Sequence, residues 1–210
     1  MPQIEDSPRW VRIYKDKQLV ADSKRVKLDY SRGAYCFPLE DINIDPKTVK
    51  GASPVPDLPD HYSFDWEAMD AWFEEDEQVF VHPRMPNHRT DCIQSSRHIE
   101  VVIDGVKVAD THRPTLLFET GLPTRYYIPQ HDCRLEMLEP STTLSRCPYK
   151  GEARYYSIRV NDALHKDLIW YYRFPLHEAA PVRGLLCFFN EKVDIHEEGQ
   201  LLERPKTFWS

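Results

Sequence analysis

Glycine is scarce in this chain, with 7 among 210 residues against 17 prolines. So little glycine speaks against a phosphate-cradling loop, and neither Gly-x-Gly-x-x-Gly nor Gly-x-Ser-x-Gly occurs. A basic excess is missing too. Lys and Arg number 27 against 34 Asp and Glu, a formal charge of −7, and no stretch gathers five or six cations. With no net attraction for a phosphate backbone, nucleic acid is not expected as a partner. The longest uncharged apolar run, residues 184–189, is far short of a bilayer span. The opening Met-Pro-Gln-Ile-Glu-Asp has neither the basic start nor the apolar middle of a secretory signal. The expected compartment is therefore cytoplasmic, with no membrane partner. The five cysteines are odd in number, widely spaced and never Cys-x-x-Cys, which favours reduced thiols over a disulfide framework or a zinc knuckle.

What the chain does contain is a globular balance, 41% apolar and 29% charged, and an internal repeat. Residues 11–23 parallel residues 99–111, with Ala21-Asp22-Ser23 on Ala109-Asp110-Thr111 and Arg25 on Arg113, at an offset of 88. Tyr35-Cys-Phe-Pro38 with Asp41 then parallels Tyr126-Tyr-Ile-Pro129 with Asp132 at 91. Phe64-Asp-Trp-Glu67 parallels Phe188-Phe-Asn-Glu191 at 124, with Asp70 on Asp194 and Glu74 on Glu198. The growing offset means that a stretch around 147–172 has no counterpart in the first copy. The expected organisation is a shortened first repeat over residues 10–84, a connector at 85–97 and a complete second repeat over 98–205. The proline-rich segment 45–60 can be neither helix nor central strand and bridges the deletion.

Period-two patterns dominate. Residues 99–103 and 106–108 flank Asp104-Gly105, the strongest two-residue hairpin signal, and residues 10–20 form a weaker twin around Asp16-Lys17. Further strands are expected at 26–30, 115–118, 125–128, 155–160, 168–173 and 185–189. Over 67–78 two readings stand. Met69, Trp72 and Phe73 share a helical face, whereas the repeat register predicts a hairpin.

The segments R-H-I-E-V-V-I-D-G-V-K-V-A-D-T-H-R-P (97–114), L-F-E-T-G-L-P-T-R-Y-Y-I-P (117–129), C-P-Y-K-G-E-A-R-Y-Y-S (147–157) and G-L-L-C-F-F-N-E (184–191) resemble the family of domains of unknown function numbered 427. Its tandem form carries stretches like F-D-W-E-A-M-D-A-W-F-E-E-D-E (64–77) and V-H-P-R (81–84). The resemblance implies a β-tent fold, a curved pair of sheets enclosing a pocket, and no activity. A label suggesting nucleotidyl transfer goes with it, without a phosphate loop or paired metal carboxylates here to support it. The fold class that follows is mainly β: two β-tent-like antiparallel units with little helix.

Candidate site residues concentrate in the second copy. Cys147-Pro-Tyr149-Lys150-Gly puts a thiol, a phenol and an ammonium on a turn, where Lys150 could activate Cys147, bind a carboxylate or form a Schiff base. A packed cysteine on a loop-shaping turn is the other account. Strand alternation sets Arg125 and Tyr127 on one face and Tyr126 on the other, so that one tyrosine points inward. With Arg113 opposite, that face could hold an anionic or enolic molecule; an Arg113–Glu119 ion pair is the alternative. Tyr156, Trp170 and Tyr172 belong to an aromatic wall that either packs a core or, with Lys150, lines a ligand pocket. The acidic stretch 65–77 reads first as a solvated face. The nine histidines show no His-x-His or His-Glu-x-x-His spacing, so no metal site and no cofactor are expected.

Two functions fit. One is a metal-free enzyme of isomerase, cyclase or lyase type acting on a small organic molecule, with Lys150, Tyr156, Tyr127 and Arg125 as catalytic groups and Arg113, Glu119, Cys147, Tyr149, Trp170 and Tyr172 around the ligand. The other is a non-catalytic ligand-binding or protein-interaction module, with nucleotidyl transfer as a third and lesser idea. A homodimer is compatible with either.

Overall fold

The computed structural model describes residues 4–56 and 58–210; the first three residues of the opening segment, and position 57 of the proline-rich stretch, lie outside them. The chain divides into two compact units, Met1–Pro86 and Asn87–Ser210. Both are built from antiparallel strands, and the helical residues described are short 3-10 turns. No helix among the described residues is long and apolar enough to cross a membrane.

The first unit holds β1 (Ile4–Asp6), β2 (Val11–Lys15), β3 (Gln18–Ser23), β4 (Lys27–Asp29), β5 (Ala34–Pro38), β6 (Ala52–Pro54), β7 (His61–Phe64), β8 (Ala71–Glu74) and β9 (Glu77–Val79). The second holds β10 (Thr90–Gln94), β11 (Ile99–Ile103), β12 (Val106–Thr111), β13 (Thr115–Glu119), β14 (Arg125–Ile128), β15 (Leu138–Cys147), β16 (Gly151–Val160), β17 (Ala163–Tyr172), β18 (Leu186–Phe188), β19 (Asp194–Glu197) and β20 (Gln200–Leu201). Strand order exposes the duplication. Sheets β1-β4-β5-β7-β6 and β3-β2-β8-β9 of the first unit match β10-β13-β14-β18-β17-β16-β15 and β12-β11-β19-β20 of the second. The short edge strand β6 therefore stands where β17 stands, and what the first unit lacks is β15, β16 and most of the length of β17.

Why the Val-Ala-Asp-Ser/Thr motif recurs is visible in the hairpins. Pairing slips between Ile13 and Tyr14, and identically between Val101 and Val102. The extra residue of this bulge lets two successive side chains, Val20-Ala21 or Val108-Ala109, both sink into the core. The next two residues then serve other ends. Asp22 and Asp110 point outward, while the Ser23 and Thr111 hydroxyls donate to Asp41 (2.6 Å) and Asp132 (2.7 Å) in the 3-10 turns that follow β5 and β14. Arg25 and Arg113 clamp the same carboxylates. The core of the second unit lies between its two sheets, with Ile99, Val101, Tyr126, Ile128, Ile158 and Phe188 among its members.

Two expectations change and one open reading is decided. Residues 85–97 are not merely a connector, because Thr90–Gln94 forms β10 and pairs with β13 along its whole length. Residues 67–78 take the hairpin, β8–β9, after a 3-10 turn at Trp66–Ala68; alternation buries Trp72 and Glu74, which a helix would not. The last repeat block slips by one residue. Ser63 matches Cys187 in the pairing, but Val11 faces Glu74 where Ile99 faces Glu197, so Glu74 corresponds to Glu197 and not to Glu198. Both carboxylates accept from a matching phenol, Tyr35 at 2.9 Å and Tyr126 at 3.1 Å. A slip of one residue would have turned them to the wrong face.

Both hairpin turns are left-handed at their two central positions, Asp16 and Lys17 (φ 50° and 63°) and Asp104 and Gly105 (φ 48° and 76°). A Lys there carries a Cβ penalty that Gly escapes. Lys17→Gly is expected to stabilise the first unit by about 0.5–1 kcal/mol, after the entropy that Gly adds to the unfolded chain; urea unfolding reads this. Asp132 is held below the usual carboxylate range chiefly by the Arg113 hydrogen bond, with Thr111 helping against burial. A depressed carboxyl stabilises the fold above its unfolded value, roughly 3.9, and loses that contribution as pH falls through the folded value. Asp132→Asn should therefore lower the urea midpoint at neutral pH and flatten its decline in acid.

Candidate functional site

The face of the seven-stranded sheet turned away from the main core carries the second unit's chemistry. Alternation along β13 and β14 puts Leu117 and Glu119, then Arg125 and Tyr127, on this face. Trp170 and Tyr172 of β17 and Cys187 of β18 join them. Because the sheet is covered on both sides, both tyrosines of β14 are buried, Tyr126 (8% exposed) in the main core and Tyr127 (1%) here. The expectation that one alone would point inward fails for that reason.

Glu119 is the centre of one cluster, its side chain 3% exposed. The Lys150 ammonium, 12% exposed, contacts Oε2, and His88 Nε2 lies 3.0 Å from Oε1. The His88 ring stacks on Tyr149, centroids 3.9 Å apart. Lys150 reaches Glu119 and Tyr149 reaches His88 because the turn between β15 and β16 closes tightly, Cys147 pairing with Gly151. Gly151 sits at φ 96°, a conformation that side chains rarely adopt, which is why the tight turn takes glycine there. Thr90 stands opposite Glu119 in the pairing with β10, and its buried hydroxyl has no hydrogen-bond partner among the described residues. Burial pushes the nearby Cys92 thiol up to about 11.

Arg125 makes a second cluster. Its guanidinium grips Glu191 through two bonds of 2.7 Å and Asn190 Oδ1 at 3.0 Å, with Trp170 at 5.4 Å and Trp209 at 5.6 Å from its carbon. Burial tends to raise the Glu191 pKa, but the bonds from Arg125 and Thr207 outweigh it and hold the carboxyl below its usual range. The Tyr127 hydroxyl accepts from Trp170 Nε1 at 3.0 Å. Burial drives Tyr127 and Tyr172 well above the ordinary phenol value, so both are neutral.

The structure thus brings together Lys150, Glu119 and Tyr149, and beside them on the same face Arg125, Tyr127, Trp170 and Tyr172. Cys147 is half-buried at the end of β15, where that strand pairs with Gly151. Two expected members are elsewhere. Tyr156 pairs with Ile169 and stacks on Tyr171 at 5.0 Å, on the opposite face of the sheet from Trp170. Arg113 is 67% exposed and joined to Asp132, so neither an anion-binding role opposite Arg125 nor a pair with Glu119 holds. The Lys150 ammonium goes to Glu119, and the Arg125 fork is filled by Glu191 and Asn190. A cavity of about 190 Å³ beside Pro123, Tyr126, Asn190, Ile195 and Leu202 is lined by none of the expected residues.

Thr90, Cys92 and Glu191 escaped the sequence reading, the first two because they lie in the presumed connector, where His88 reads only as a loop histidine whose ligation would need partners from elsewhere. A further group, His98, Asp110 and His112, is assembled by the β11–β12 pairing on the other sheet. The hairpin signal at Asp104-Gly105 gave the register only as far as Val102; the bulge beyond it sets Ile99 opposite Thr111 and so His98 beside His112.

Arg125 is an anchor whose removal strands a buried carboxylate. Arg125→Met is expected to cost about 3–5 kcal/mol in denaturant unfolding, whereas Arg113→Met, at the surface, should cost far less.

Residues 91–199, from β10 through β19, match the model of a family described as Domain of unknown function (DUF427). A search of curated proteins returned no match. The matched span is more than half of the chain and contains Glu119, Lys150 and the Arg125–Glu191 anchor, with His88 and Thr90 just before it, and on it the chain belongs to the DUF427 family.

Proposed function

We propose that the Glu119–Lys150–His88 cluster is the reaction site of a cofactor-independent enzyme that moves protons on a small organic metabolite, an isomerase, cyclase or lyase. The observation that carries this reading is a buried carboxylate whose two oxygens are engaged by different proton carriers, the Lys150 ammonium and the His88 imidazole. Such a carboxylate can pass a proton between its neighbours, and acid/base groups of this kind contribute roughly 10²–10⁴-fold to a rate. In this reading Lys150 polarises a substrate oxygen and His88 or Glu119 takes the proton from the adjacent carbon. The unpaired Thr90 hydroxyl offers a donor to the bound molecule, and Trp170, Tyr172 and neutral Tyr127 supply the apolar wall. The five free cysteines agree with a reducing, cytoplasmic setting.

A non-catalytic binding module is the second reading. It draws on the internal satisfaction of Arg125 and Tyr127, which makes a preorganised wall without free catalytic donors.

Thermal-shift screening of metabolites followed by product analysis separates the two. Under the enzymatic reading the stabilising ligand is consumed, and His88→Gln and Lys150→Met slow turnover by about 10²-fold or more while circular dichroism stays native. A ligand that stabilises the chain and is never consumed favours the binding module. Turnover unaffected in both variants removes this site.

A further inference from the structure

The outward face of the β12-β11-β19-β20 sheet holds side chains that the proposed reaction does not use. His98 precedes β11 and His112 follows β12, and the pairing of Ile99 with Thr111 sets the two side by side. Their rings stack, centroids 4.0 Å apart and planes 13° apart. Asp110 Oδ1 lies 2.7 Å from His98 Nε2, and one potential ligand atom from each of the three residues falls within 4.8 Å of the others. Glu100 stands in register between Asp110 and His196. The Lys107 ammonium joins Glu100 (2.7 Å) to Asp110 (2.5 Å).

The first unit shows what the fold itself requires at these places. Trp10 holds the position of His98, Lys24 that of His112, Arg12 that of Glu100 and Phe73 that of His196, while Asp22 matches Asp110. There the indole N–H donates to Asp22 at 2.5 Å, with Arg12 at 4.0 Å and Lys24 at 4.8 Å from the Trp10 ring. Aromatic and cationic packing is thus sufficient for the sheet. In the second unit the two cations and two aromatics are replaced by three imidazoles and a carboxylate, all residues that ligate metals, and the aspartate is kept.

We propose that His98, Asp110 and His112 bind one divalent transition-metal ion of the zinc class. Two imidazoles and a carboxylate suit Zn²⁺, with water in the fourth place, and bonds of about 2.0–2.2 Å are within reach of donors this close. Imidazole lone pairs lie in the ring plane, so the exposed His112 turns out of the stack to coordinate. The Lys107 ammonium, a single positive charge already set between the two carboxylates, is displaced by the doubly charged ion.

Titration of the full chain with Zn²⁺ by calorimetry, and with Co²⁺ by visible absorption, tests this. One equivalent should bind, with the intense Co²⁺ bands of a four-coordinate site. His98→Ala and His112→Ala should each weaken binding by about tenfold or more. Lys107→Met should tighten it, and His165→Ala, at the Asp104 turn on the far end of the hairpin, should leave it unchanged. All of these positions are at the surface, and thermal unfolding of the metal-free variants checks that each is folded. Absence of binding below millimolar Zn²⁺, or equal binding by the His98→Ala/His112→Ala double variant, overturns the proposal.

Discussion

In each unit a carboxylate in the turn after one strand of the larger sheet takes a hydroxyl from the end of the hairpin in the smaller sheet. Asp41 with Ser23 and Asp132 with Thr111 are the two instances, and each is clamped by an arginine two residues beyond the hydroxyl. This contact fixes where the hairpin ends relative to the larger sheet, and with it the bulge that buries Val-Ala as a pair. Everything inside the unit is registered from there: the core between the sheets, the phenol-to-glutamate bond of Tyr35 or Tyr126, and the outward aspartate beside Trp10 or His98. The lock has tolerated exchange of Ser for Thr because either hydroxyl donates the same bond.

On this common frame the two units diverge in length and in surface. The second carries three ten-residue strands, β15 to β17, where the first has the three-residue β6. Those strands bring Lys150 back to Glu119 and Tyr149 to His88 and extend the aromatic wall, so the cluster has no counterpart among the described residues of the first unit. Two buried charged groups share that face with opposite accounts. Arg125 and Glu191 satisfy each other almost completely and act as an anchor. Glu119 is divided between a flexible ammonium and an imidazole, next to an unpaired hydroxyl, an arrangement that stability alone does not require.

Much of this was readable from residue order alone. The Asp104-Gly105 turn, the alternation of 99–103 and 125–128, and the duplication of Ala-Asp-Ser and Ala-Asp-Thr are local signals, and the antiparallel β class follows from them. The missing block was readable as well, because an insertion shifts every later offset. Less accessible was Thr90–Gln94, a short strand just after the stretch holding Pro83 and Pro86, and the hairpin at 71–79, whose apolar spacing also fits a helix.

Sequence by itself determined the strand period, the turns and the repeat, since each depends on neighbours along the chain and on the pleat that sends successive side chains to opposite faces. Tertiary structure decided which faces meet. It buried Tyr126 and Tyr127 on two different sides of one sheet, parted Tyr156 from Trp170, gave Arg113 to Asp132 and Lys150 to Glu119, and stacked His98 on His112. Such partnerships join residues distant in sequence, and which strand lies beside which depends on closing the whole core at once.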